Sequence, residues 1–156
     1  MKVITCRPIG IIHSPFKRTT GMPIQPVGAK GVKGTIEVFP RYAPGLTDLY
    51  GFSHIILLYR FHLSRGYSLM TKPFMDNETH GVFATRTPHR PNHIGISVLH
   101  LLNIKDNLLQ VEEIDIADGT PLLDIKPYVP EFDIRPVKSI GWLAGKTKDA
   151  YRWRSV

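Results

Sequence analysis

With a single cysteine, Cys6, the chain cannot form an internal disulfide, and the reducing cytoplasm is the expected compartment. It has no run approaching the ~18 to 20 apolar residues that a membrane-spanning helix needs, so no membrane partner is expected. Arg7 and Pro8 interrupt the N-terminal apolar residues, which excludes the usual form of a secretory signal there. Thirteen prolines and thirteen glycines discourage long helices, and no sustained 3.6-residue apolar period runs through the chain. Three cofactor and nucleophile signatures are missing: the Gly-x-Ser-x-Gly elbow, the phosphate-cradling Gly-x-x-x-x-Gly-Lys, and the strand–Gly-x-Gly-x-x-Gly–helix unit. Their absence argues against the usual Rossmann cofactor fold. No metal site is expected either. His89 and His93 are four apart, but Pro91 between them denies the helix that would align them. His54 and His62 have the even spacing of one strand face yet stand too far apart to share an ion.

What is present is a chain of 156 residues with 42% hydrophobic content, enough for one domain with a real core. The net charge of +7 is unevenly spread. Residues 1–72 carry ten Lys and Arg against Glu37 and Asp48, residues 105–133 carry two lysines against eight acids, and the stretch from Ile134 has six Lys and Arg against Asp149. Two basic blocks around an acidic one suit a polyanion footprint beside a cation-tolerant pocket, or charge pairing between subunits.

Short runs rich in β-branched residues, punctuated by Gly and Pro, predict strands at Ile9–Ile12, Gly34–Phe39, Phe52–Phe61, Val82–Thr85, Ile96–Ile104 and Leu108–Ile116. The near-continuous apolar run Phe52–Phe61 reads as a strand covered on both faces. Lys105-Asp106-Asn107 reads as a three-residue hairpin link, and Leu46–Tyr50 as a helical turn. The pattern predicts an all-β, mainly antiparallel barrel or sandwich with long loops and little helix. Residues 1–140 are expected to form that domain, with an edge strand at Gly141-Trp142-Leu143 and a basic tail completing 141–156.

Two segments concentrate chemistry. In Gly81–Ser97 a strand gives way to a Pro-stiffened loop bearing Arg86, His89, Arg90, Asn92 and His93, then re-enters a strand at Gly95. Rigid polar loops between strands are where binding groups collect, and an arginine there offers a planar fork for a carboxylate or phosphate. In Asp115–Tyr128, Asp118-Gly119 marks a tight turn whose glycine can take a positive φ and let backbone amides approach a ligand. A carboxylate in this turn can accept hydrogen bonds from ribose hydroxyls or an amine. The loop Thr19–Lys33 is long for a small domain, which itself suggests function.

Those segments, with Gly10–Phe16, Gln25-Pro26, Gly51–Ile55 and Tyr59–His62, together resemble the TsaA-like family, whose characterised branch is TrmO, the tRNA (N6-threonylcarbamoyladenosine37-N6)-methyltransferases. The resemblance covers about residues 7–133. It implies a β-barrel that binds S-adenosyl-L-methionine outside any Rossmann fold, acts as a homodimer, and methylates N6 of threonylcarbamoyladenosine in tRNA. The cofactor residues it implies are Gln25, Pro26, Val27, His62, Leu63, Arg86, Ile96, Asp118, Gly119, Thr120 and Pro121. If Arg86 holds the cofactor, Arg90 is left for the substrate carboxylate, with Asn92, Lys126 and Tyr128 as further expected substrate contacts. No general base is identifiable. Relative to bacterial members the chain lacks a larger C-terminal domain and has Thr87-Pro88-His89 before Arg90. Two other readings remain open: a binding module that transfers no methyl group, and a basic RNA-binding barrel that stacks bases on Tyr42, Tyr50 or Trp142.

Overall fold

The computed structural model describes residues 2–155. Its strands are β1 Gly10–His13, β2 Lys33–Val38, β3 His54–Arg60, β4 Met70–Thr71, β5 His80–Gly81, β6 Ile94–Lys105, β7 Leu108–Glu112 and β8 Thr120–Pro127, followed by one helical turn, α1 Pro130–Asp133. Six strands close into a barrel in the order β1-β2-β7-β6-β3-β8, while β4 and β5 form a separate two-stranded ribbon. Every barrel pairing is antiparallel. The mainly β, closed-barrel expectation holds.

Closure follows from period-two patterning. Ile12, Ile36, Ile55, Leu57, Leu99, Leu109, Val111 and Leu122 are fully buried at alternate positions and fill the barrel as one core. Gly95 has a specific packing role. A Cβ there would lie 2.3 Å from the ring of Tyr59, which pairs with it across β3 and β6. Gly95→Ala is therefore expected to cost about 1 to 3 kcal/mol through overpacking, read as a lower urea midpoint at unchanged slope.

Several local expectations are corrected. The hairpin link between β6 and β7 is two residues, because Lys105 pairs with Leu108 and Asp106 takes a positive φ of 56°. The predicted strand Val82–Thr85 is a 3-10 turn, Val82–Ala84, that drives Val82 inward as a buried peg, and the strand lies just before it. The helical turn near Leu46–Tyr50 is two 3-10 segments, Pro40–Leu46 and Leu49–Gly51. The run Phe52–Phe61 is covered on one face only, since Ile56 and Leu58 point outward and remain half-buried. The expected edge strand at Gly141–Leu143 is instead a 3-10 turn.

Strand β8 was hidden by its two prolines, which argue against a central strand. Their positions explain the exception. Pro121 pairs only with Ile11 of β1, before the pairing with β3 begins, and Pro127 pairs only with Ile55 of β3, after the pairing with β1 ends. Each sits where the strand has one neighbour, so no ladder donor is lost.

Candidate cofactor and substrate site

Antiparallel closure sorts the strand ends. The C-terminal ends of β1, β3 and β7 and the N-terminal ends of β2, β6 and β8 form one rim. That rim carries Ser14, His62, Ile96, Asp115 and Asp118–Pro121. Lys126 and Tyr128 lie at the other end of β8, roughly 20 Å along the strand at about 3.3 Å per residue. There Tyr128 packs edge-on against His54, itself stacked on His100 at 5.1 Å. Within one chain these two expected substrate residues are not brought together with Arg90 and Asn92.

The turn at Asp118 is tightly knit. Gly119 has φ of 76°, as its turn requires. The N–H groups of Asp118 and Gly119, however, already donate to the carbonyls of Phe16 (2.8 Å) and Ile12 (2.9 Å). The expected backbone donors for a ligand are thus spent on closing the barrel, which corrects that reading. The Asp118 carboxylate accepts from the Ser14 N–H (3.0 Å) and the Lys17 ammonium (2.5 Å), and Ser14 Oγ donates to the Ile116 carbonyl at 2.6 Å. Lys17 first, then the Ser14 N–H, holds the Asp118 pKa below its usual range. A depressed carboxylate stabilises the fold above its ordinary value of 3.8 and loses that contribution as pH falls through the lowered one. Asp118→Asn is therefore expected to flatten the acid side of the stability curve below pH 3.8, measurable by urea titration across that range.

Beside this turn, Thr120 Oγ1 donates to the Ala117 carbonyl (2.7 Å) and stands 3.1 Å from His62 Nδ1. With its one proton given to Ala117, the hydroxyl must accept from His62, so Nδ1 carries the imidazole proton. Burial and then nearby Arg60 lower the His62 pKa, offset in part by Asp118. His62 is therefore neutral at pH 7, with its Nε2 lone pair available as an acceptor.

The loop after β5 is stiffened by more than proline. Thr85 Oγ1 donates to the Val82 carbonyl at 2.9 Å, and the Arg90 Nη1 donates to the carbonyls of Thr85 (3.0 Å) and Thr87 (3.4 Å). His93, at φ of 48°, reaches the Gly66 carbonyl through Nε2 at 2.7 Å. Arg86 projects from this brace and donates through Nη1 to Gln25 Oε1 at 3.0 Å, which joins two expected cofactor residues 61 positions apart. The apolar side chains of the other expected cofactor residues Val27, Leu63 and Ile96 are 60%, 52% and 51% exposed. Pro26 opens the short turn Pro26–Gly28 beside Gln25, and Pro121 is half-buried at the start of β8. Asn92 is exposed on the same loop as Arg90.

One group escaped the sequence reading of roles. Ser97 Oγ donates to Asp115 Oδ1 at 2.7 Å, and Tyr59 Oη lies 3.0 Å from that same Oγ. Because Ser97 gives its proton to the carboxylate, Tyr59 must donate to Ser97, which sets a directed chain Tyr59→Ser97→Asp115. Burial, then the charge of Asp115, raises the Tyr59 pKa far above its usual value, so its hydroxyl stays a donor. Burial also pushes Asp115 up to about 6, while Ser97 and the nearby Arg86 pull the other way. The signal available in the sequence was Asp115 itself, two residues before Ala117-Asp118 at the end of an apolar strand.

Comparison with known proteins identifies the family. The family model for the tRNA-methyltransferase O N-terminal domain matches residues 11–134. A protein of Pyrococcus abyssi named as a probable S-adenosyl-L-methionine-binding protein is 58% identical over 141 residues, covering 90% of this chain and 77% of that one. The tRNA (adenine(37)-N6)-methyltransferase of Escherichia coli is 36% identical over 86% of this chain and 61% of its own length. The crystal structure of TrmO from Pseudomonas aeruginosa superposes with a TM-score of 0.76 at 38% identity, covering 90% of this chain and 63% of that one. The chain thus spans less than two thirds of the E. coli and P. aeruginosa proteins. From its family match and its barrel alike, the chain belongs to the tRNA-methyltransferase O N-terminal domain family.

Proposed function

We propose that the domain is an S-adenosyl-L-methionine-dependent tRNA methyltransferase acting on N6 of threonylcarbamoyladenosine. The observation that carries this reading is the convergence, at one barrel rim, of the Arg86 fork, the neutral His62 acceptor and the Asp115 carboxylate, which Ser97 holds through Oδ1. The family and the names of its relatives supply the substrate class. S-adenosyl-L-methionine supplies an electrophilic methyl group on a sulfonium. The donor set fits such a group: Arg86 answers its carboxylate, His62 Nε2 accepts from its adenine or ribose, and Val27, Leu63 and Ile96 flank its apolar parts. Gln25 orients the Arg86 fork, while Asp118 to Pro121 shape the floor.

The N6 of a threonylcarbamoyl adenosine is conjugated to a carbonyl, so its lone pair is poorly nucleophilic and loss of its proton matters. Asp115 is the proton acceptor in this reading. With a pKa of about 6 it is mostly ionised at pH 7 yet basic enough to take a proton, which suits general-base work. Arg90 has Nη1 occupied by its own loop, and its remaining donors face the task of holding the threonyl carboxylate, with Asn92 beside it.

The outer face of β3 and β6 supports a homodimer. Leu58 pairs with Ile96, and Ile56 with Val98, on the side away from the core; Ile94 and Ile96 are about half exposed. A second copy seated there would cover this apolar strip, with the cofactor residue Ile96 at its edge, and bring one subunit's rim near the other's surface. Light scattering at micromolar concentration is expected to give twice the chain mass; a monomer would remove this part of the reading. A cytoplasmic location accords with a tRNA substrate.

The decisive measurement is calorimetry with S-adenosyl-L-methionine, followed by methyl transfer to tRNA with and without the threonylcarbamoyl group. Several relatives are named only for binding the cofactor, which favours a module that binds without transferring as the second reading. Cofactor binding without transfer to either tRNA would support that module instead.

A further inference from the structure

The C-terminal segment does not trail as a loose basic tail. Trp142 stacks on His80 (centroids 4.5 Å apart) and donates from Nε1 to the Ala84 carbonyl at 2.8 Å, two residues before Arg86. Lys146 pairs with Asp76, which also bonds His80 at 2.9 Å. Lys146 first, then His80, holds the Asp76 pKa well below the usual carboxylate range. Further along, Arg154 forms a bridge with Pro23 and donates to the Gly28 carbonyl at 3.3 Å. Ser155 exchanges backbone hydrogen bonds with Gly21 (2.6 Å) and Met22 (2.9 Å). Residues 141–155 therefore form a strap clamped at one end to the loop that carries Arg86 and at the other to the loop that carries Gln25. Those two loops meet at the Arg86–Gln25 hydrogen bond.

Between and before its clamps the strap presents charge outward. Lys138, Lys148 and Arg152 are exposed, and the Arg152 side chain keeps 70% of its surface in solvent beside a long contact to Asp149 of 3.8 Å. Among the described residues, Lys138 and Lys148 make no salt bridge. Tyr151 and Trp153 flank Arg152 and are exposed, and Arg152 donates from Nε to Tyr151 Oη at 2.6 Å with its guanidinium 5.1 Å from that ring. Cations interleaved with exposed aromatic faces, held in a fixed shape, match the chemistry of nucleic acid: the cations meet phosphates and the rings stack on unpaired bases. A merely solvated basic tail would have no reason to be anchored on both sides of the site.

We propose that this strap, together with Lys138 just before it, is an RNA-docking surface that seats the tRNA beside the Arg86–Gln25 mouth. The inference rests on the tRNA methyltransferase reading and adds where the RNA is held. Because the strap ties down both loops of the mouth, RNA seated on it also reinforces the loop arrangement that holds the cofactor residues.

The test uses the full chain carrying Lys138→Glu, Lys148→Glu and Arg152→Glu together, none of which is part of a clamp. A control with Arg41→Glu and Lys105→Glu reverses charge at the opposite rim. The strap variant is expected to raise the KM for tRNA at least about tenfold and to reduce the steepness of its salt dependence by about two, with cofactor affinity by calorimetry within twofold of the parent. The control is expected to leave both nearly unchanged. A parent-like KM and salt slope in the strap variant overturns the proposal, as does a loss in the control in proportion to its two charge reversals against three, which would make the effect one of net charge. Loss of binding to anionic vesicles with an unchanged tRNA KM would overturn it in favour of a lipid surface. If the parent itself binds S-adenosyl-L-methionine but methylates no tRNA, the functional reading fails, an outcome distinct from an active parent whose strap variant is indifferent.

Discussion

Asp115→Asn is expected to lower kcat for methyl transfer by about 10²- to 10⁴-fold, the usual contribution of a positioned general base, while making the protein more stable at pH 8. Asparagine keeps an Oδ1 that can accept the Ser97 hydroxyl, so the Tyr59→Ser97 chain stays in place and the fold is not undone. What the variant removes is the buried charge. The folded pKa of Asp115, about 6, lies above its ordinary 3.8. Between those values the folded state holds a proton that the unfolded state has lost, so this group's contribution to stability falls as pH rises through the window. Above about pH 6 the cost is complete, on the order of 1 to 3 kcal/mol. The gain of the variant over the parent should therefore appear at pH 8 and vanish near pH 3. In addition, kcat/KM of the parent should rise with pH near 6, and the variant should lose that limb. The other groups facing this carboxylate are Arg86, Ser97 and Tyr59; burial raises the Tyr59 pKa, so its hydroxyl keeps its proton across that range. A variant that keeps its rate within threefold but gains stability would make Asp115 a structural tie for Ser97 and not the base.

The polar groups of this rim were easier to read in the sequence than the contacts among them. Alternation at Ile36-Val38 and the short apolar, β-branched runs around Leu57 and Leu99 are local properties, so the barrel strands other than β8 were legible within a few residues of their ends. The rim was legible too, because Pro-stiffened Arg86–Asn92 and the Asp118-Gly119 turn are polar interruptions of that alternation. Pairing across the chain was not. The Arg86–Gln25 contact spans 61 positions and the Ser14–Asp118 contact spans 104. Nothing local tells Asp115 that Ser97, 18 residues earlier, will be its donor. Nor does composition tell that the amides of Asp118 and Gly119 will be consumed by the chain itself. The tail misled for the same reason: Trp142 and Arg154 look like surface residues until the loops they clamp are folded beside them. β8 was missed because a rule about proline in strands depends on how many neighbours each residue has, and only topology supplies that number.

The two arginines of the stiff loop are expected to separate cofactor binding from substrate choice. Arg86 and Arg90 both offer a planar fork, but the structure engages them differently. Arg86 reaches across to Gln25 on the loop of expected cofactor residues, whereas Arg90 turns back onto the carbonyls of Thr85 and Thr87 within its own loop. A charge-assisted bond to a desolvated carboxylate contributes roughly 1.5 to 3 kcal/mol, or about ten- to a hundredfold in affinity. Lysine keeps the charge and loses the fork. Arg86→Lys should therefore weaken S-adenosyl-L-methionine binding by about ten- to a hundredfold in calorimetry. Arg90→Lys should leave that affinity nearly intact and instead raise the KM for threonylcarbamoyl-modified tRNA by a similar factor. The modified base carries a free carboxylate that plain adenosine lacks, so the Arg90 effect should be confined to tRNA bearing the group. Because Arg90 also braces the loop, a loss of bracing would disturb Arg86 and lower cofactor affinity as well; the calorimetric arm separates that outcome from loss of a substrate contact. If Arg90→Lys is mild and the parent methylates tRNA equally with and without the threonylcarbamoyl group, Arg90 is a brace alone and the substrate carboxylate is not what this loop recognises.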